Sequence, residues 1–65
     1  MRRYQLKTDE DFFYAIAAEK EVSILSADFI GGGTILLFNN QAILIGEQYY
    51  MRDNYEFYIE AQKIQ

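Results

Sequence analysis

Three groups of residues in this chain invite a chemical reading. Asp9, Glu10 and Asp11 stand side by side, as hard-cation ligands sometimes do. Gly31-Gly32-Gly33-Thr34 has the flavour of a phosphate-binding loop, and Ser23, Ser26 and Lys20 carry groups that act as nucleophiles or bases elsewhere. None of them completes a motif. A calcium loop spaces its oxygens at alternate positions over about twelve residues, whereas the three acids here are consecutive and follow Thr8, as first-turn residues of a helix do. The phosphate loop requires G-x-x-x-x-G-K-[ST] leading into a helix. Here the lysine is missing and a β-type run follows. Histidine and cysteine are both absent, which removes the commonest general base, the commonest nucleophile–base pairs and every thiolate ligand. The chain is therefore expected to be no enzyme, with no catalytic residue, no cofactor and no metal site. The glycines are expected to form a flexible hairpin turn.

The C-terminal third has a different character. Glu47, Asp53, Glu56 and Glu60 are interleaved with Tyr49, Tyr50, Tyr55, Phe57 and Tyr58. Tyrosine combines a large rigid contact area with a polar tip and is enriched at interfaces. Neighbouring carboxylates speed encounter with a basic surface. Glu47, Tyr49, Tyr50, Asp53, Tyr55, Glu56, Tyr58 and Glu60 are thus the candidate partner-binding residues, with Tyr50 and Tyr58 the first choices for exposed rings. Base stacking on such rings needs a basic groove. The chain has only six basic residues, scattered along it, so direct nucleic-acid binding is not expected.

The elements that would position these groups follow from periodicity. Arg2–Lys7 alternates, with Tyr4 and Leu6 on one side and charges on the other, as an edge strand does. Thr8 and Asp11 have the spacing of a capping box and open a helix expected from about Asp9 to Lys20, with Phe12, Phe13, Ile16 and Ala17 as its apolar stripe. Val22–Ile30 reads as a strand ended by the three glycines. Thr34–Phe38 and Ala42–Ile45 read as two more, joined at Asn39-Asn40, where asparagine tolerates a turn. Asp53-Asn54 reads as another turn. From Tyr55 the alternation favours a strand, while Phe57, Ala61 and Ile64 also fit a helix. The expected fold is α+β, one domain over residues 1–65. One N-terminal helix packs on a small antiparallel sheet in the order β-α-β-β-β, with a further C-terminal strand or helix.

One feature conflicts with a simple sheet. Both runs around Asn39-Asn40 are apolar on both faces, with Leu36 and Phe38 opposing Ile35 and Leu37, and Ala42 and Leu44 opposing Ile43 and Ile45. A sheet with one wet face alternates apolar and polar residues, and one short helix covers only one face. The second face needs closure by the chain itself or by another copy. Ile35, Leu37, Ile43 and Ile45 are the candidate oligomer face.

The bulk composition agrees. With 65 residues, a single core rarely supplies more than about 3–5 kcal/mol, and no disulfide or metal is at hand, so association is the expected staple. A net charge of −4 with 51% hydrophobic residues fits a folded acidic protein. No run is long enough to span a bilayer, and the acids at 9–11 interrupt any signal-like start, so a cytoplasmic location is expected. The functional expectation is a small inhibitor or regulator that binds one protein, with a basic nucleic-acid-handling protein as the fitting target. In size and style the chain is similar to phage-encoded inhibitors, including anti-CRISPR proteins, a likeness with no motif behind it. The alternative is a structural or regulatory homo-oligomer, at its simplest a homodimer.

Overall fold

A computed structural model describes residues 3–60. The elements run β1 (Arg3–Leu6), α1 (Asp9–Ala17), β2 (Glu21–Ser26), β3 (Phe29–Phe38), β4 (Ala42–Ile45), β5 (Gln48–Met51) and β6 (Glu56–Glu60). The strands form one antiparallel sheet in the order β1-β6-β2-β3-β4-β5, with β1 and β5 at its edges. The fold is α+β and mostly strand. It has two strands more than the β-α-β-β-β order requires, because Gln48–Met51 adds a fourth strand to the meander and the C-terminal segment is a strand over Glu56–Glu60. Ala61 and Ile64, on which the helical alternative depends, lie outside the described residues.

The helix begins where its sequence dictates. Asp11 N–H donates to Thr8 Oγ1 at 3.1 Å, while Asp11 Oδ2 accepts from Thr8 N–H at 3.0 Å and from Lys7 N–H at 2.9 Å. The box satisfies donors that every helix start leaves open. The helix stops three residues before the expected Lys20. Glu19 turns left-handed at φ 55°, and Glu19 N–H and Lys20 N–H donate to the Ile16 and Ala15 carbonyls. That is the Schellman arrangement, with glutamate where glycine usually sits. The buried stripe is Phe12 and Ala15 with Ile16 packed beside them. Phe13 and Ala17 face outward, one position off the expected stripe.

The three glycines are not a turn. The chain reverses at Ala27-Asp28, and Gly31, Gly32 and Gly33 lie inside β3, opposite Ile24, Ser23 and Val22 of β2. Two close approaches explain the residue type. A Cβ on Gly32 would lie 2.8 Å from the Val22 carbonyl oxygen, and one on Gly33 would lie 2.7 Å from Ile45 Cγ2. Glycine in a strand marks such approaches of backbone or neighbour. Just beyond them β3 changes partners. Thr34 still pairs with Glu21 of β2, whereas Ile35 pairs with Ile45 of β4, and the register shifts between Ile35 and Leu37.

The sheet therefore curls along β3, and side chains from both halves reach one core. Val22 and Ile24 of β2, Ile35, Ile43 and Ile45 of β3 and β4, and Phe57 and Ile59 of β6 are buried together under the helix. Phe12 meets both halves, its ring centroid 5.7 Å from that of Phe38 and 5.6 Å edge-on from that of Phe57. Among the described residues no polar side chain is buried.

Candidate functional site

Two devices hold the curled sheet closed, and they account for residues that composition alone assigns to the surface. Phe29, Tyr50 and Tyr55 form a mutual ring cluster with centroids 5.2 to 5.9 Å apart. Offset and edge-on contacts at this spacing add about 0.5–1.5 kcal/mol each beyond area burial. Tyr50 and Tyr55 thus turn inward against the core; of the two rings expected to be exposed, Tyr50 packs inward and Tyr58, on the outer face of β6, is half-buried. At the other end Arg52, immediately after β5, reaches the segment that joins β1 to α1. Its Nη1 donates to Asp9 Oδ1 at 2.7 Å and to the Asn39 carbonyl at 2.9 Å, and its Nη2 donates to the Lys7 carbonyl at 3.2 Å. The guanidinium carbon lies 4.6 Å from the Phe12 ring centroid, and the side chain is only 15% exposed.

The two-sided apolar hairpin is resolved by the irregularity in β3. Ile35 pairs with Ile45 and Phe38 with Ile43, all four turned inward. Leu37 pairs with Leu44, which in turn pairs with Tyr49, and these three face outward. Ile35, Ile43 and Ile45 are buried in the chain's own core, so the expected oligomer face does not exist as a group. Only Leu37 of its four members is exposed. A strict alternation would place Ile35 and Leu37 on one side; the extra residue between them reverses the facing of the rest of the strand.

The outer surface of β3–β4–β5 is consequently apolar. Leu36, Leu37 and Tyr49 are 58%, 50% and 61% exposed, Met51 is 45% exposed, and half-buried Ala42 and Leu44 lie between them. The exposed parts of these side chains come to roughly 400 Å², inside the ~300–600 Å² range of the largest patch on a typical monomer, which is often functional. The outer surface of the other half is mixed: Gln5, Tyr58 and Ser23 form one cross-strand row and Arg3 and Glu60 another, while Leu25 and Ile30, the latter 83% exposed, make a smaller apolar pair beside Glu56.

The remaining candidate residues do not converge. Glu56, Tyr58 and Glu60 share the outer face of β6, where the Tyr58 hydroxyl donates to Glu56 Oε1 at 2.9 Å and the Arg3 guanidinium carbon lies 5.8 Å from the Tyr58 ring centroid. The bond to Glu56 holds the Tyr58 phenol above its ordinary pKa. Glu47 sits in the β4–β5 turn and Asp53 in the β5–β6 turn. An open groove of ≈ 410 Å³ between the β2–β3 and β5–β6 turns is lined in part by Ser26, Asp53, Asn54, Tyr55 and Glu56, and a second of ≈ 560 Å³ by Lys20, Glu21, Ser23, Gly32 and Glu60. Among the described residues no three acidic side chains stand close enough to hold a metal ion, and no helix is long and apolar enough to cross a membrane. Leu36, Leu44 and Met51 are absent from the residues expected at a binding surface. The apolar double face of Thr34–Ile45 is the sequence signal for the first two. Comparison with protein-family models, with curated proteins and with solved structures finds no match for this chain.

Proposed function

We propose that this chain is a non-catalytic protein-binding domain that holds its partner against the outer face of β3–β4–β5. The observation that carries the reading is the apolar cross-strand row Leu37–Leu44–Tyr49, flanked by Leu36 and Met51, on the outer face of the sheet. Burial of such a row is worth about 25 cal/mol per Å² of apolar surface before the costs of association. The fitting partner has an apolar contact surface rimmed by lysine and arginine. Glu47 borders the row, and the chain carries a net charge of −4, which steers a basic protein towards it. A small cytoplasmic inhibitor or regulator of a nucleic-acid-handling protein meets these requirements. The absence of histidine and cysteine supports the non-catalytic half of the reading.

The test is affinity capture at low and high salt with identification of the retained protein, repeated with Glu47, Glu56 and Glu60 reversed to lysine. Retention of a basic protein that weakens with salt and with charge reversal is expected. Retention indifferent to both would remove the electrostatic part of the proposal.

A further inference from the structure

The apolar patch of Leu36, Leu37, Tyr49 and Met51 runs up to a free edge of the sheet at β5. Edge strands are normally guarded by lysine, proline, a bulge or an inward charge. At one edge of this sheet β1 carries Arg3 and is followed by Lys7. At the other, β5 reads Gln48-Tyr49-Tyr50-Met51, with no charge, proline or register shift. Its bonding side follows from one contact. Arg52 N–H donates to the Gln41 carbonyl at 2.8 Å, and main-chain groups alternate in direction along an antiparallel strand. Gln48, Tyr50 and Arg52 therefore bond towards β4, while Tyr49 and Met51 point their main-chain groups off the edge.

We propose that β5 pairs antiparallel with β5 of a second copy about a two-fold axis at Tyr49. Only registers that set residues with outward main-chain groups opposite one another satisfy those groups, and charge decides between the two nearest, with axes at Tyr49 and at Tyr50. An axis at Tyr50 would place Glu47 directly opposite Asp53 of the other copy, a like-charge pair, and like charges directly opposite are destabilising. An axis at Tyr49 sets Glu47 against Met51 and opposes no like charges. The two rows Leu37–Leu44–Tyr49 then run on into each other as one continuous outer face. The purpose of the dimer rests on the binding role of the outer face; the pairing rests on the edge alone.

Solution mass over a concentration series of the full chain tests it. A short two-stranded junction predicts a dimer with a dissociation constant between ~1 µM and ~1 mM. Tyr49→Pro removes an N–H that β4 does not use, and Tyr49→Lys sets two lysines opposite each other at the axis. Each is expected to weaken the dimer at least tenfold with the far-ultraviolet circular dichroism retained, whereas Leu37→Glu leaves the dimer intact. If Tyr49→Pro does not fold, Tyr49→Lys decides alone. A wild-type chain that stays monomeric throughout overturns the proposal, as does a dimer lost in Leu37→Glu but kept in Tyr49→Lys. Both outcomes leave the partner capture to stand or fall separately.

Discussion

Arg52 is the residue whose loss should cost the fold most for its place on the surface. Truncation to alanine removes the donors that bridge the end of β5 to the Lys7 and Asn39 carbonyls and to Asp9, and strips a cation from the face of Phe12. Hydrogen bonds from a charged group contribute about 1.5–3 kcal/mol each when shielded. The cation–ring contact adds about 0.5–1 kcal/mol. The Asp9 carboxylate is 69% exposed, so its ion pair contributes no more than about 1 kcal/mol. Because water can reach the freed carbonyls, about 3 kcal/mol is the expected total for Arg52→Ala. That is most of the ~3–5 kcal/mol available to a domain of this size. Asp9→Ala should cost less than about 1 kcal/mol, which corresponds to a melting shift of no more than about 4–8 °C. Urea unfolding followed by circular dichroism measures both. Equal losses in the two variants would refute the reasoning, because the carbonyl and ring contacts would then contribute nothing.

Other consequences are as specific. Glu19→Gly relieves a left-handed residue and should stabilise the chain by about 1 kcal/mol in thermal unfolding. Gly32→Ala drives a methyl against the Val22 carbonyl and should destabilise by about 1–3 kcal/mol, where a flexible turn would tolerate it. Ile43→Ala opens the core and should cost about 2–5 kcal/mol, whereas Leu37→Ala, on the outer face, should cost under about 1 kcal/mol in the same urea titration. Backbone donors from Lys7 and Thr8 hold the Asp11 carboxyl below its ordinary range. Its contribution is therefore present in full above the unfolded value near ~3.9 and is lost as pH falls through the lower folded value. Asp11→Asn should lower stability at neutral pH and flatten the decline on acidification.

Local rules carried well where the physics is local. Thr8 and Asp11 specify the helix start because both halves of the box lie within four residues, and the turn at Asn39 follows from its own side chain, whose Oδ1 accepts from Gln41 and Ala42 N–H. The edge character of β1 was legible in its charges. The features that escaped depend on distant partners. A glycine run looks the same whether it frees the chain to turn or lets another strand approach, and only Val22 and Ile45 in place decide for the second. The helix end was hidden because glutamate took the position glycine usually marks. The double apolar face was visible, but the extra residue that sends Ile35 inward and Leu37 outward was not. Tyr50 and Tyr55 could not be assigned inward without Phe29, more than twenty residues away in the chain, which completes their cluster.

The central claim is that the outer face of β3–β4–β5 holds a protein partner. The affinity of the captured partner for Leu37→Glu, measured by titration calorimetry beside the wild-type chain, tests it most directly, since Leu37 is half exposed and contributes little to the core. A charge buried in an apolar contact predicts a loss of at least tenfold, about 1.4 kcal/mol or more, with the unfolding midpoint nearly unchanged. An affinity equal to that of the wild-type chain would contradict the claim and move the binding surface elsewhere.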